Sequence, residues 1–292
     1  MLMAGKVVIS GVGLIGGSFA LACKARLGRD VKFVGMGRSR ATLEQAKQLG
    51  IIDEIGSDWA SALQGADFVM LGMPVGQMPA AMEALVPHLE PQTLVTDGGS
   101  TKQDVVAAAR AAFGNKIAQF IPGHPIAGAE KSGAAAARAD LYQGKRVVLT
   151  PLAENTPEAV RTVRAVWEFC GAKVSELTPE AHDKTFAAVS HLPHLLAFAL
   201  VDEFAKRPNA AELFANAGGG FRDFTRIASS HPEMWRDISV ANRAALIVEV
   251  DQYINALLQA RVLLASADAA GLETLFASAR NARNAWLEQL EK

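Results

Sequence analysis

Short apolar runs alternate with longer amphipathic segments over the first 177 residues of the chain. Seven runs are continuous and rich in β-branched residues, which is typical of strands buried on both faces of a sheet. They are KVVIS, VKFVGM, ADFVMLGM, TLVTDGG, KIAQFI, KRVVLT and AKVSEL. Because helix-length segments separate the runs, the pattern predicts βαβ units and a mostly parallel sheet, with some antiparallel pairing late in the series.

The pattern becomes helical after Thr178, where almost no strand signal remains. Apolar residues then recur at spacings of three, four and seven, as expected for the buried face of a helix. They include Leu246, Val250, Ile254, Leu257 and Leu264. We therefore predict an α/β fold class, with an α/β domain over residues 1–177 followed by an all-α domain over residues 178–292.

A glycine loop, GVGLIGGS, follows the first predicted strand and precedes a helix. In this context a GxGxxG spacing predicts a Rossmann-type dinucleotide-binding domain. The first glycine allows the tight turn, the second lets the backbone approach a pyrophosphate, and the third lets the helix pack on the strand. The alternative is a glycine turn that binds no ligand. The predicted cofactor-binding residues here are Gly11, Val12, Gly13, Leu14, Ile15 and Gly16, with Met73 and Pro74 after a later strand.

The same stretch, behind Lys6, also resembles a secretory signal peptide, with a basic residue, an apolar run and small residues. Glycines at fixed spacing interrupt the run, and VVIS before them is a good strand. We therefore favour the folded interpretation.

A basic turn ends the second predicted strand, where dinucleotide folds that bind NAD carry an acid for the ribose hydroxyls. This chain has Gly37, Arg38, Ser39 and Arg40 there, and no carboxylate before Glu44. Without the acid there is no charge repulsion against a 2′-phosphate, and the arginines can bind phosphate oxygens. The turn favours NADP over NAD; the alternative is a solvated basic turn on an NAD enzyme.

The composition excludes some classes of partner. The chain has 292 residues, of which 29 are basic and 30 acidic, so it lacks the excess of positive charge expected for nucleic-acid or anionic-membrane binding. No run approaches the ~20 apolar residues of a membrane helix. Two cysteines lie in apolar stretches without a CxxC pair, so we expect neither a disulfide framework nor a structural zinc site, and we expect a cytoplasmic protein with a small-molecule ligand.

Candidate catalytic residues follow two predicted strands, at the carboxyl edge where doubly wound sheets bind their ligands. DGGSTK places Ser100 and Lys102 there, and His124 stands between Gly123 and Pro125. The proline holds His124 extended, and a histidine at such an edge suits proton chemistry near neutral pH. The residues leave a second interpretation equally open, in which His124 ties down a loop.

The helical half carries further candidates in SHLPH and GGGFRDFTRIASSHPEMWRDI. His191 and His194 share a helix face, but nothing completes a zinc ligand set, so no metal is predicted. Arg222 and Arg226 can bind carboxylates in a bidentate way. Their alternative is a solvated helix face.

These motifs, read in order with GHPIAGAEKSG, closely resemble the prephenate/arogenate (cyclohexadienyl) dehydrogenases of tyrosine biosynthesis. The match spans almost the whole chain, and the HPIAGAEKSG and GGGFRDFTRIA segments are far more specific than the glycine loop. The resemblance implies oxidative decarboxylation of a cyclohexadienyl ring with hydride transfer to NAD(P). It also implies that the helical domain binds substrate and forms a homodimer.

The resemblance assigns roles to individual residues. His124 accepts the hydrogen bond of the substrate hydroxyl, Ser100 orients His124 or that hydroxyl, and His191 assists in the cleft. Arg226 holds a substrate carboxylate, and Glu130 lines the side-chain end. Arg222 and Asp223 gate the site or support the residues that contact the substrate, without taking part in the chemistry. Trp235 approaches the site from a neighbouring subunit.

The sequence leaves several questions open. Ala129 stands where family members often carry a hydroxyl residue, so the choice between prephenate and arogenate is undecided. The oligomer beyond a dimer, the strictness of the cofactor preference and inhibition by tyrosine are also undecided; we expect any such inhibition at or near the active site. Two rival classes remain: another Rossmann-type dehydrogenase acting on a small hydroxy acid or imine, and a non-catalytic dinucleotide sensor.

Overall fold

The computed structural model describes residues 5–27, 31–129 and 131–290, which contain nine strands. The strands are β1 (Lys6–Ser10), β2 (Lys32–Met36), β3 (Glu54–Ile55), β4 (Phe68–Leu71), β5 (Leu94–Asp97), β6 (Phe120–Ile121), β7 (Gly123–Pro125), β8 (Arg146–Leu149) and β9 (Lys173–Glu176).

Thirteen α-helices lie in the same ranges. The first six, in the α/β part, are α1 (Leu14–Leu27), α2 (Arg40–Gln48), α3 (Trp59–Leu63), α4 (Met78–Leu85), α5 (Gln103–Phe113) and α6 (Pro157–Phe169). The other seven are α7 (Pro179–Phe186), α8 (Leu192–Ala205), α9 (Ala210–Ala215), α10 (Gly219–Thr225), α11 (Pro232–Ala241), α12 (Arg243–Ala265) and α13 (Ala269–Leu290). A π-helical turn, Ala187–His191, joins α7 to α8.

The main sheet is parallel, with strand order β3-β2-β1-β4-β5-β6. This is the order of a dinucleotide-binding doubly wound fold, so the predicted fold class is confirmed. A second sheet, β7-β8-β9, contains one antiparallel pair, β7 with β8, also as predicted. The sequence pattern missed β3 and β7, which have only two and three residues.

The N-terminal run that resembles a signal peptide forms the centre of the fold. β1 pairs with β2 on one side and β4 on the other, and Val7, Val8 and Ile9 are fully buried. The leader interpretation is therefore wrong, because removing this segment would remove the middle strand of the sheet.

The two cysteines meet in the core, where Cys23 of α1 contacts Cys170 at the end of α6. The sulfurs of Cys23 and Cys170 are 3.5 Å apart, and both residues are buried free thiols. The hydrogen bond between them, together with burial, raises the pKa of Cys23. At neutral pH Cys23 is therefore a thiol rather than a thiolate.

The chain divides into two compact units, Met1–Arg243 and Ala244–Lys292. The first contains both sheets and α1 to α11, and the second contains nearly all of α12 together with α13. The predicted boundary after residue 177 falls inside the first unit, at the turn where Thr178 caps α7. That boundary stays a prediction.

Within the described ranges, one helical stretch, Pro179–Ala205, is long and apolar enough by length and composition alone to cross a bilayer. The sequence pattern did not predict such a run. Apolar core helices pass the same test, and this stretch carries buried His182, Asp183 and His191, whose side chains hydrogen bond to other parts of the protein.

Candidate active site

The glycine loop lies between β1 and α1, and two of the glycines in its GxGxxG spacing have no room for a side chain. Gly11 has a φ of +88°, and a Cβ there would lie 2.6 Å from the Met73 nitrogen. A Cβ on Gly16 would lie 2.3 Å from the Gly11 carbonyl oxygen, whereas a Cβ on Gly13 would meet nothing within 4 Å. Gly13 thus faces open space beside the N-terminus of α1, where a pyrophosphate can approach the backbone. These residues fit a dinucleotide, and Met73 borders the loop at Gly11, with Pro74 next in the chain.

The basic turn is exposed and forms the start of α2. Ser39 caps this helix, its hydroxyl oxygen accepting the Thr42 N–H at 3.2 Å. The Arg40 Nε donates to Glu44 Oε1 at 2.9 Å, one helical turn away. Arg38 is exposed and makes no interaction with the described residues. Arg38 and the helix N-terminus can therefore receive an anion, while Arg40 has a carboxylate partner.

A buried ion pair ties the end of β5 to the start of β7. Lys102 and Asp97 are completely buried, and the Lys102 Nζ bonds to Asp97 Oδ2 and donates to the Gly123 carbonyl at 2.8 Å. Asp97 Oδ1 accepts the Gly123 N–H at 2.9 Å. Lys102 therefore fixes the backbone beside His124. The sequence predicted its position at the sheet edge but not this role.

His124 lies in β7, opposite Val148 of β8, in the extended conformation that Pro125 favours. Its Nδ1 is 2.8 Å from the Nε2 of His182, a residue of α7. Phe186 packs against both rings, with centroids 4.9 Å from His124 and 4.5 Å from His182. Among the described residues the ring partner of His124 is thus His182, rather than Ser100.

Asp183 continues the chain of hydrogen bonds from His124. Its Oδ1 is 2.8 Å from the Nδ1 of His182, and its two oxygens accept the backbone N–H groups of Lys102 and Gln103 at 2.8 and 2.9 Å. Burial by itself raises the pKa of Asp183, but these hydrogen bonds outweigh it and hold the pKa below its ordinary value. Asp183 is therefore an ionised acceptor at neutral pH.

His124 is neutral at physiological pH. Desolvation, and then the charges of His182, Lys102 and His191, lower its pKa well below the ordinary value. Burial likewise lowers the pKa of His182, although Asp183 opposes the shift. The site therefore offers an uncharged imidazole, which can accept a hydrogen bond from a hydroxyl.

His191 supports the backbone of Ser100. Its ring is 1 % exposed, its Nδ1 is 3.1 Å from the Asn242 Nδ2, and it also hydrogen bonds to the backbone of Ser100. Asn242 in turn donates to the Asp183 carbonyl at 2.8 Å. Burial lowers the pKa of His191 to about 4. The structure thus surrounds the predicted catalytic His191 with protein groups and gives it a supporting position.

His194, whose spacing from His191 suggested only a metal pair, faces Trp235. The two rings stack with centroids 3.6 Å apart, and the His194 Nδ1 bonds to the Ser190 carbonyl at 2.9 Å. Burial lowers the pKa of His194, and the charge of Arg226 lowers it further. His194, Trp235 and Arg226 therefore form one group. Trp235 belongs to this group within one chain, and its approach to the site of a neighbouring subunit stays a prediction.

The structure says little about the roles of two further predicted site residues, Arg222 and Glu130. Arg222 is exposed on α10, and its Nε lies 3.9 Å from an oxygen of Asp223. Glu130 lies outside the described residues. In the described part of the chain, no group of three His, Cys, Asp or Glu residues is arranged to hold a metal ion.

Sequence reasoning missed Asp97, His182, Asp183, His194 and Asn242 as members of the site. The adjacent His182 and Asp183 at the start of a helix were the available signal. Their relevance depends on a contact with His124, 58 residues away in the sequence, which no local pattern encodes.

The fold and the site define a dinucleotide-binding dehydrogenase with a neutral histidine at the edge of its sheet. The chain belongs to the prephenate dehydrogenase family. The model of the family's nucleotide-binding domain matches residues 19–176, and that of its dimerization domain matches residues 178–278.

Relatives of this chain include enzymes named for two substrates. The prephenate dehydrogenase of Bacillus subtilis is 36% identical over 284 residues, which cover 97% of this chain and 76% of that one. A crystal structure of the Aquifex aeolicus prephenate dehydrogenase, in complex with hydroxyphenyl propionate and NAD+, is 39% identical with a TM-score of 0.86, covering 93% and 94% of the two chains. The arogenate dehydrogenase of Synechocystis is 31% identical with a TM-score of 0.81, covering 96% and 99%.

Proposed function

We propose that this protein catalyses the oxidative decarboxylation of prephenate, arogenate or both, with hydride transfer to NAD(P), in L-tyrosine biosynthesis. The products are 4-hydroxyphenylpyruvate from prephenate and L-tyrosine from arogenate. The observation that carries the proposal is His124, a neutral imidazole clamped at the sheet edge, in a chain of the prephenate dehydrogenase family.

The chemistry asks the protein to orient the substrate and to stabilise charge on one oxygen. When bound, the nicotinamide accepts the hydride from the hydroxyl-bearing ring carbon. The C–C bond to the ring carboxylate breaks, carbon dioxide leaves, and the electron pair makes the ring aromatic while the phenol keeps its proton. Positive charge therefore develops transiently on the hydroxyl oxygen, and His124 stabilises it by accepting the hydroxyl hydrogen bond.

Other residues of the site hold the remaining parts of the substrate. Arg226, beside His194 and Trp235, supplies a guanidinium that can bind a substrate carboxylate in a bidentate way. The Trp235 ring offers an apolar face near it. Ser100 follows β5, whose Asp97 accepts the N–H of Gly123 next to His124, and we retain the proposal that Ser100 orients His124 or the hydroxyl.

We further propose that NADP is preferred over NAD. The exposed guanidinium of Arg38, the absence of an acid at Gly37 and the N-terminus of α2 favour a 2′-phosphate. Two observations weigh against a strict preference: Arg40 is paired with Glu44, and the Aquifex aeolicus relative was crystallised with NAD+.

We also infer a homodimer that works in the cytoplasm. Large apolar side chains on α12 and α13 are about half exposed or more, among them Leu258 and Val262, and the matching family model is described as a dimerization domain. Exposed apolar patches of this kind mark protein interfaces. The two free thiols in the core fit a reducing compartment.

Steady-state kinetics with prephenate and arogenate, each offered NAD and NADP, tests the proposal. We expect turnover of at least one substrate with stoichiometric release of carbon dioxide and a higher kcat/KM with NADP. Turnover of neither substrate would refute the function, and a clear preference for NAD would refute only the interpretation of the basic turn.

A further inference from the structure

The side chain of His124 is one end of a chain of hydrogen bonds. His124, His182 and Asp183 form one continuous chain, with His124 Nδ1 2.8 Å from His182 Nε2 and His182 Nδ1 2.8 Å from Asp183 Oδ1. Each contact requires one donor and one acceptor, so the proton positions along the chain are linked.

The proton positions can be assigned by starting from Asp183, at the other end of this chain of hydrogen bonds. Asp183 is ionised and can only accept, so His182 Nδ1 must carry a proton and donate it. Since His182 is neutral, its Nε2 has a lone pair. The hydrogen bond to His124 then requires that His124 Nδ1 be the donor.

We propose that His182, held by Asp183, is a positioning residue that fixes His124 as the Nδ1–H tautomer and so leaves a lone pair on Nε2. This inference rests on the proposed function, because a lone pair on Nε2 is what the substrate hydroxyl requires. The opposite tautomer would present an N–H to the hydroxyl oxygen, and it would oppose rather than stabilise the developing positive charge.

Asp183 is itself held on several sides. The backbone N–H groups of Lys102 and Gln103 occupy its oxygens, and the Asn242 side chain donates to its carbonyl. Phe186 covers both imidazoles and limits ring rotation. The orientation of His124 therefore depends on residues that do not touch the substrate.

Nitrogen-15 NMR of the free enzyme, labelled at its six histidines, measures the tautomer directly. His124→Asn identifies the His124 signals by difference. We expect a protonated Nδ1 and an unprotonated, pyridine-type Nε2 on His124 in the wild-type protein at neutral pH. A proton on Nε2 would overturn the proposal, and this measurement requires no substrate turnover.

Two variants of His182 separate positioning from simple packing. His182→Phe keeps the ring but removes the acceptor, so the Nε2–H tautomer should appear on His124 and kcat should fall at least ~10-fold with the KM for the cofactor unchanged. In His182→Gln, the amide N–H donates to Asp183 and the amide oxygen is left to accept from His124. The Nδ1–H tautomer of His124 and most of the wild-type turnover should therefore be restored.

The outcomes distinguish the two proposals. An unchanged His124 tautomer in His182→Phe, with the fold intact by circular dichroism, would contradict the positioning role. If the wild-type protein turns over neither prephenate nor arogenate, the proposed function fails while the tautomer measurement still stands.

Discussion

The residues of the site differ in whether their chemistry is visible in the sequence. The basic turn could be predicted from the sequence because its residues are neighbours in the chain, and its exposure follows from its position directly after β2. Gly37 has an ordinary φ, and a Cβ there would have only Leu43 nearby, at 3.7 Å. Side chains can therefore be introduced at Gly37 without strain.

Gly37→Asp should convert the cofactor preference. The new carboxylate repels a 2′-phosphate and can hydrogen bond to the ribose hydroxyls of NAD, so we expect the KM for NADP to rise by at least ~30-fold while that for NAD falls or is unchanged. Gly37→Asn is the control for size, and it should change NADP binding far less. Equal effects of both substitutions on NADP would contradict a phosphate at this turn.

His191 illustrates a buried group whose charge state affects stability. Its pKa is about 4 in the folded protein, against ~6.5 in an unfolded chain. Between these values the unfolded state binds the proton and the folded state does not, so stability is lost as the pH falls from ~6.5 towards ~4.

We expect the His191 proton alone to remove about 2 kcal/mol from the free energy of unfolding by pH 5. His191→Gln removes the titrating group, so its stability should fall less between pH 7.5 and pH 5 than that of the wild-type protein. Urea denaturation at the two pH values measures this difference. Identical losses in both proteins would show that His191 does not titrate as described.

At the scale of elements, the strands were largely predictable and the assembly of the site was not. All seven predicted runs contain a strand, because continuous β-branched sequence and helix-length spacing are local signals. In KIAQFI only the last two residues are a strand, and the first four lie in a 3-10 helix. The sequence pattern did not predict β7, because three residues are too few to show a period of apolar and polar positions. The contact of α7 with β7, which brings His182 to His124, depends on packing between distant segments.

The π-helical turn between α7 and α8 places His191 over Ser100, and Asn242 holds this turn to α7. Asn242→Ala leaves a buried carbonyl and an imidazole nitrogen without their donor, so we expect a loss of about 2–4 kcal/mol of stability. Urea denaturation measures it, with the exposed Asn209→Ala as control, expected within ~0.5 kcal/mol. A similar small change in both would contradict the role of Asn242.

At the scale of the whole molecule, the second compact unit consists almost entirely of α12 and α13, which leave apolar side chains exposed. Leu258→Glu combined with Val262→Glu places two charges one turn apart on α12. We expect this variant to sediment as a monomer in analytical ultracentrifugation, whereas the wild-type protein and a Gln259→Glu control remain dimers. A monomeric wild-type protein, or a variant that stays dimeric, would contradict dimerisation through this face.

The central claim is that His124 stabilises the substrate hydroxyl of a prephenate or arogenate dehydrogenase, and the kinetics of His124→Asn test it most directly. The asparagine amide can still donate to His182 in place of Nδ1, but it has no group at the position of Nε2. We predict a fall in kcat of ~10²–10⁴-fold with the dissociation constant of the cofactor nearly unchanged. A variant that keeps kcat within ~3-fold of the wild-type value would contradict the account.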